Sequence, residues 1–153
     1  MSRTLVRAII IKDNKLLVIN RNKFGKEYST LPGGLVGINE NPEQAVVREI
    51  SEEAMIEIAN PRLVFIDHAD FDGDQLVYLC EYVSGEPHLR EDTHEYAINK
   101  LGKNTYTPTW LNIANLSNTK FLSPELKQAI LNALDAGWPE SVIEFTSKRS
   151  NEF

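Results

Sequence analysis

Residues 42–57 read as one helix whose sides make opposite demands, and this constrains the fold more than any other feature of the chain. Ala45, Val46, Ile50 and Ala54 recur at the spacing of a single helical face and need an apolar layer to cover them. Glu49, Glu52 and Glu53 fall at i, i+3 and i+4, which sets three carboxylates side by side with Arg48 next to them. Like charges at this spacing repel, so a positive partner is expected among them. A hard divalent cation, which takes oxygen ligands, suits such a cluster best.

The start of this helix is written plainly. Asn41 can cap it, Pro42 suits the first helical position, and Gln44 stands where a capping box needs it. Asn60-Pro61 marks a stop, with the helix itself running to about Glu57. Before it, residues 4–11 and 15–20 are β-rich and flank Asp13-Asn14, a hairpin signal. Residues 21–30 read as a polar loop, and Leu31-Pro32-Gly33-Gly34 as an irregular segment where backbone can approach a ligand closely. After it, residues 62–69 and 75–83 read as two strands joined by a turn at Asp72-Gly73-Asp74. Residues 88–108 read as a long irregular connection, of the kind that often carries function. A short strand at 110–113, a second helix from Ser123-Pro124-Glu125 to about Ala136 with its stop at Gly137, and a last short strand at 142–145 complete the pattern. Strands, helix, strands, helix predict an α/β (α+β) fold, one domain over residues 1–153, with helices covering a sheet.

Composition narrows the chemistry. With 153 residues the chain can bury a sizeable core. Its net charge of −6 makes it a poor partner for a nucleic acid polymer, which selects basic surfaces. A small anionic substrate remains compatible if a metal ion screens the repulsion locally. No apolar run is long enough to span a membrane, and the N-terminal residues read as a first strand rather than a leader. Cys80 is the only cysteine, so no internal disulfide can form, and a reducing, cytoplasmic setting is expected. His68, His88 and His94 share no zinc spacing with each other or with Cys80.

The residues around the acidic helix also name a family. Gly34, Glu40, Arg48-Glu49-Ile50-Ser51-Glu52-Glu53-Ala54 and Ile56, led in by Leu31-Pro32-Gly33, resemble the Nudix box, and the run PEQAVVRE is similar to MutT-type members. So many fixed positions in register are far more specific than a charge run alone, which usually marks only a solvated face. The resemblance implies an α/β/α sandwich with a mixed sheet and a loop–helix–loop catalytic motif. It implies a magnesium-dependent hydrolase, with manganese as a substitute, acting on a small-molecule nucleoside diphosphate linked to another group: a nucleoside triphosphate, a nucleotide sugar or an ADP-ribose-like compound. By the same resemblance, Glu52 and Glu53 are the principal metal ligands, with Glu49 and the carbonyl of Gly33 beside them. Arg48 and Glu40 form an orienting ion pair, Gly34 supports the loop, and a glutamate beyond the box ligates metal or acts as base. Glu91, Asp92 and Glu95 are the candidates for that last role, with Glu95 favoured by the segment that follows it. Monomer and homodimer are both compatible with the family.

Two departures stand out. Met55 occupies the position where the family has glycine, and is expected to let the helix run on toward Asn60. Gly37-Ile38-Asn39 replaces a segment that often carries one more acid. They keep open a second reading, a Nudix-fold module that binds a nucleotide without cleaving it. The residues that would recognise the substrate are not assigned. Phe24, Tyr28, Phe71, Tyr106 and Trp110 are candidates to stack on a base, and Arg7 and Arg21 to meet phosphate, although a core or hinge role is commoner for most of the aromatics and a plain surface role for the arginines.

Overall fold

The structure, a computed structural model, describes residues 4–70 and 73–148. Strands β1 (Thr4–Lys12) and β2 (Lys15–Lys23) form the expected hairpin. Asp13 and Asn14 both take positive φ, 51° and 60°, as a tight two-residue turn requires. The chain continues through β3 (Lys26–Thr30), β4 (Gly33–Leu35), α1 (Pro42–Ala54), β5 (Glu57–Ala69) and β6 (Gly73–Ser84). It then forms α2 (His94–Asn99), β7 (Asn104–Asn112), a 3-10 turn at Ile113–Asn118, α3 (Pro124–Ala136) and β8 (Ile143–Ser147).

The sheet is mixed, in the order β3-β2-β1-β6-β5-β8, with β4 paired to β1 and β7 to β2. Strands β1 and β6 run parallel, as do β5 and β8, while the remaining pairs are antiparallel. Alternation along β1 divides the core into two. Val6, Ala8 and Ile10 face the stripe of α1, formed by Ala45, Val46, Ile50 and Ala54. Ile9 faces the other way, onto Leu126, Ile130 and Ala133 of α3. A helix therefore covers each face, which is the expected sandwich. The Asn41–Gln44 capping box is formed, with the Gln44 N–H donating to Asn41 Oδ1 at 2.8 Å. Ser123 caps α3, and the helix stops at Gly137 with φ 104°.

The structure corrects several sequence expectations. Residues 21–30 are the tip of a second hairpin, turned by Phe24 (φ 53°) and Gly25 (φ 92°), and Gly33–Leu35 pairs with β1 as a short strand. Residues 88–108 contain α2 and the start of β7, which pairs with β2 over nine residues from Lys15↔Asn112 to Lys23↔Asn104. The first helix does not run on past Ala54: Met55 takes the left-handed conformation (φ 54°, ψ 36°) that glycine would take more cheaply. The reason lies in a distant segment, since the N–H groups of His88 and Arg90 donate to the carbonyls of Ala54 (2.9 Å) and Glu52 (3.3 Å) at the end of α1. Gly85 passes so close that a Cβ there would lie 2.4 Å from the Met55 carbonyl oxygen. The expected turn at Asp72 and the candidate Phe71 lie outside the described residues.

Candidate functional site

The site begins with two glycines. A Cβ on Gly33 would lie 1.9 Å from the Val6 carbonyl oxygen, so only glycine lets β4 lie against β1 there. A Cβ on Gly34 would lie 2.4 Å from Glu49 Oε2, so the missing side chain makes room for that carboxylate. The Gly33 N–H donates to Glu53 Oε1 at 3.0 Å and joins the loop to the helix.

Arg48 binds the acidic face together. Its Nε and Nη2 donate to the two oxygens of Glu40 at 2.7 and 2.9 Å, a fork that matches the carboxylate. Nη1 reaches Glu49 Oε1 at 2.9 Å and Glu52 Oε2 at 3.2 Å, and Nη2 also donates to the Leu35 carbonyl at 3.1 Å. Arg48 and the Gly37 N–H hold the Glu40 carboxyl down at about 2. Glu49 and Glu53 move the opposite way. Burial pushes Glu49 up against the pull of Arg48, and burial pushes Glu53 up to about 7, with Arg7 and the Gly33 N–H opposing and Glu95 and Glu49 adding repulsion.

Two adjoining cavities meet at these carboxylates. One, of about 300 Å³, is bounded by Glu49, Glu52, Glu53, Arg90, Asp92, Thr93, His94 and Glu95. The other, of about 510 Å³, shares Glu49, Glu53 and Glu95, and extends past Gly33 and Gly34 to Arg7, Arg21, Lys23 and Tyr106. The lining of this cavity thus carries both signs of charge. Arg21 is held firmly: its guanidinium lies 3.7 Å from the Tyr106 ring centroid, and its Nε donates to the Thr105 carbonyl at 3.1 Å. Arg7 donates to Gln75 Oε1 at 3.0 Å and to the Leu31 carbonyl at 3.3 Å.

The structure therefore brings Gly33, Gly34, Glu40, Arg48, Glu49, Glu52, Glu53 and Glu95 to one region. Of the three acids considered downstream, Glu95 lines both cavities. Asp92 is paired with Arg90, and Glu91 points to a separate groove beside Met55. Arg90, whose Nη2 lies 3.9 Å from Glu52 Oε1, and Lys23 carried no sequence signal beyond their charge. Among the aromatics, Tyr28 and Tyr106 line the larger cavity. Trp110 packs edge-on against Tyr82 at 5.8 Å, and Phe24 is 69% exposed at the hairpin tip. His68 bridges Asp74 and Glu144 far along the sheet, a structural role.

Among the described residues, no three His, Cys, Asp or Glu side chains converge tightly enough to cage a metal ion as they stand. Glu49 and Glu52 turn to Arg48, and Glu53 turns to Gly33. The donor set is nonetheless all carboxylate oxygen around one cavity, the chemistry magnesium takes, and a dication would relieve the strain of ionising Glu53 beside Glu49 and Glu95.

Comparison with known proteins places this geometry. A model of the NUDIX domain matches residues 1–127. The chain is 36% identical over 108 residues to an ADP-ribose pyrophosphatase of Methanocaldococcus jannaschii, a match covering 64% of this chain and 63% of that protein. It is 37% identical over 84 residues to an NAD-capped RNA hydrolase, NudC, of Photorhabdus laumondii, covering 54% of this chain and 32% of that one. The chain thus spans less than two thirds of either relative. Among solved structures, a MutT NUDIX hydrolase from Burkholderia pseudomallei is similar with a TM-score of 0.64 and 27% identity, over 83% of this chain and 95% of that one. An ADP-ribose pyrophosphatase from Streptococcus suis shares the fold with a TM-score of 0.65 and 19% identity, over 95% and 99% of the two chains. Matched over most of its length, and with the glycine loop, the Arg48–Glu40 fork and the acidic helix in register, this chain belongs to the Nudix family.

Proposed function

We propose that the chain is a magnesium-dependent pyrophosphohydrolase that cleaves a phosphoanhydride bond in a nucleoside diphosphate linked to another group. The observation that carries this reading is the two-signed lining of one cavity, in which Glu49, Glu53 and Glu95 share the surface with Arg7, Arg21 and Lys23. An acidic lining alone would repel a diphosphate, and a basic lining alone would bind it without activating water. Glu49, Glu52 and Glu53, with the Gly33 carbonyl, would hold the metal. Bound there, magnesium supplies positive charge to the phosphoryl oxygens and makes water more acidic.

The chain's own residues do the rest. Arg48 and Glu40 lock α1 to its loop, so the carboxylates keep their places when one is drawn to a cation. Arg7 and Arg21 receive the anionic substrate and hold its phosphorus in line. Glu95, carried across the cavity by α2, takes the proton of the attacking water. Breaking the anhydride then yields two phosphate monoesters from ADP-ribose or a nucleotide sugar, and a nucleoside phosphate with inorganic phosphate or pyrophosphate from a nucleoside triphosphate. The names of the relatives put ADP-ribose first among the compounds to try, beside the nucleoside triphosphates suggested by MutT-like neighbours. A cytoplasmic setting belongs to the same proposal, in keeping with the unpaired, buried Cys80. Among the described residues no helix is long and apolar enough to cross a membrane.

A screen with magnesium should cover ADP-ribose, nucleoside triphosphates, oxidised nucleotides, nucleotide sugars and dinucleoside polyphosphates, with products separated by chromatography. Turnover of at least one compound, abolished by Glu53→Gln, is the expected result. Tight calorimetric binding with no product after hours would overturn the reading in favour of a nucleotide sensor.

A further inference from the structure

We propose that Asn99 is a positioning residue, whose carboxamide clamps α2 to β7 and thereby sets Glu95 against Glu49 and Glu53. The proposal rests on the reading that Glu95 belongs to the hydrolytic site. Helix α2 is six residues long and fully buries none of them; Tyr96 and Ile98 are half-buried, so its apolar anchorage is slight. Leu101, just beyond it, is 75% exposed. Polar links hold the helix instead. Thr93 Oγ1 accepts from the Tyr96 N–H at 3.2 Å and donates to the Arg90 carbonyl at 2.7 Å. At the other end, Asn99 Nδ2 donates to the Tyr106 carbonyl at 2.7 Å while its Oδ1 accepts from the Tyr106 N–H at 2.6 Å.

This two-point pairing imitates one rung of a β-ladder. It uses the edge of β7 that faces away from β2 and that no strand takes among the described residues. Asn99 stands one turn after Glu95, at i+4, so the clamp lies on the same face of the helix as the carboxylate it would aim. Glu95 in turn lines both cavities with Glu49 and Glu53. Tyr106 also carries the Arg21 guanidinium on its ring, 3.7 Å from the centroid. Glu95, through Asn99, and Arg21 are therefore both referred to Tyr106, and the clamp sets their relative placement.

The test is a double-mutant cycle on the full chain with magnesium and a substrate found by the screen. Asn99→Ala should lower kcat by roughly 10- to 100-fold, the usual effect of removing a group that orients another, and Glu95→Gln by roughly 10²- to 10⁴-fold, the loss expected for a general base, each with KM changed less than about threefold. The double variant should fall no more than about threefold below Glu95→Gln, because the clamp acts only through that carboxylate. Asn99→Asp keeps the acceptor but turns a carboxylate oxygen on the Tyr106 carbonyl, so its rate should also fall well below wild type. Multiplicative losses in the double variant, or wild-type rates in Asn99→Ala beside a large loss in Glu95→Gln, would overturn the clamp alone. Wild-type rates in Glu95→Gln would overturn the role of Glu95, and no wild-type turnover on any compound would overturn both.

Discussion

Replacing Glu53 by Gln should make the protein more stable at pH 8 in the presence of EDTA, although it removes a group central to the proposed chemistry. Glu53 sits in a desolvated position where its carboxyl ionises at about 7, against 4.5 for an unhindered glutamate. The folded state holds this proton where the unfolded chain has already released it. Folding stability therefore falls as pH rises from 4.5 through about 7, and above that the whole penalty is present. At ~1.4 kcal/mol per pH unit the gap between these values amounts to about 3 kcal/mol. Relaxation around the variant reduces this, so a gain of roughly 1–3 kcal/mol is expected, or several degrees in melting temperature. Gln retains an oxygen to accept from the Gly33 N–H, so the link to the loop survives. The assay is urea unfolding of both proteins at pH 8 and pH 5, with EDTA and then with magnesium. The gain should shrink toward pH 5, and magnesium should stabilise the wild type more than the variant. A variant less stable than wild type at pH 8, or a difference that does not change with pH, would refute the reasoning.

Other substitutions test the frame of the site. Met55→Gly should stabilise by about 0.5–1 kcal/mol in thermal unfolding with no loss of turnover, because glycine takes the left-handed exit without strain and Met55 is 45% exposed. Gly33→Ala should cost more than ~3 kcal/mol or prevent folding, since its Cβ would strike backbone at Val6. Gly34→Ala should keep the fold within about 1 kcal/mol while turnover collapses, because there the added Cβ meets only the movable carboxylate of Glu49. Arg48→Lys should lower kcat roughly tenfold or more, as one ammonium cannot fork onto Glu40 and also reach Glu49 and Glu52.

The parts of the fold that could be read from sequence are those whose causes are local. Helix α1 has its cap, its proline and its stripe within one run of residues, and α3 has Ser123-Pro124 and Gly137 in the same way. Where the cause is tertiary, reading failed. Met55 ends α1 because residues 88 and 90 arrive to take its carbonyls, which nothing near Met55 announces. Phe24-Gly25 makes a tight hairpin without the Asn-Gly or Asp-Gly pair that signals one, and the first half of β7 is polar and pairs with the equally polar end of β2, residues 20–23. The site divides in the same way. Glu49, Glu52, Glu53, Arg48 and Glu40 share one helix and its loop, and were legible from spacing and resemblance. Arg90 and Lys23 line the cavities through segments that only the fold brings near, and Asn99 meets Tyr106 in the same way.

The most direct measurement is hydrolysis of ADP-ribose and of nucleoside triphosphates in oxygen-18 water, by wild type and Glu53→Gln, with magnesium and with EDTA. The account predicts that wild type with magnesium releases a labelled phosphorus-containing product, a phosphate ester, inorganic phosphate or pyrophosphate, from at least one substrate, and that EDTA or Glu53→Gln abolishes the release. Release that persists unchanged in EDTA or in Glu53→Gln, or none from any substrate with magnesium, would contradict it.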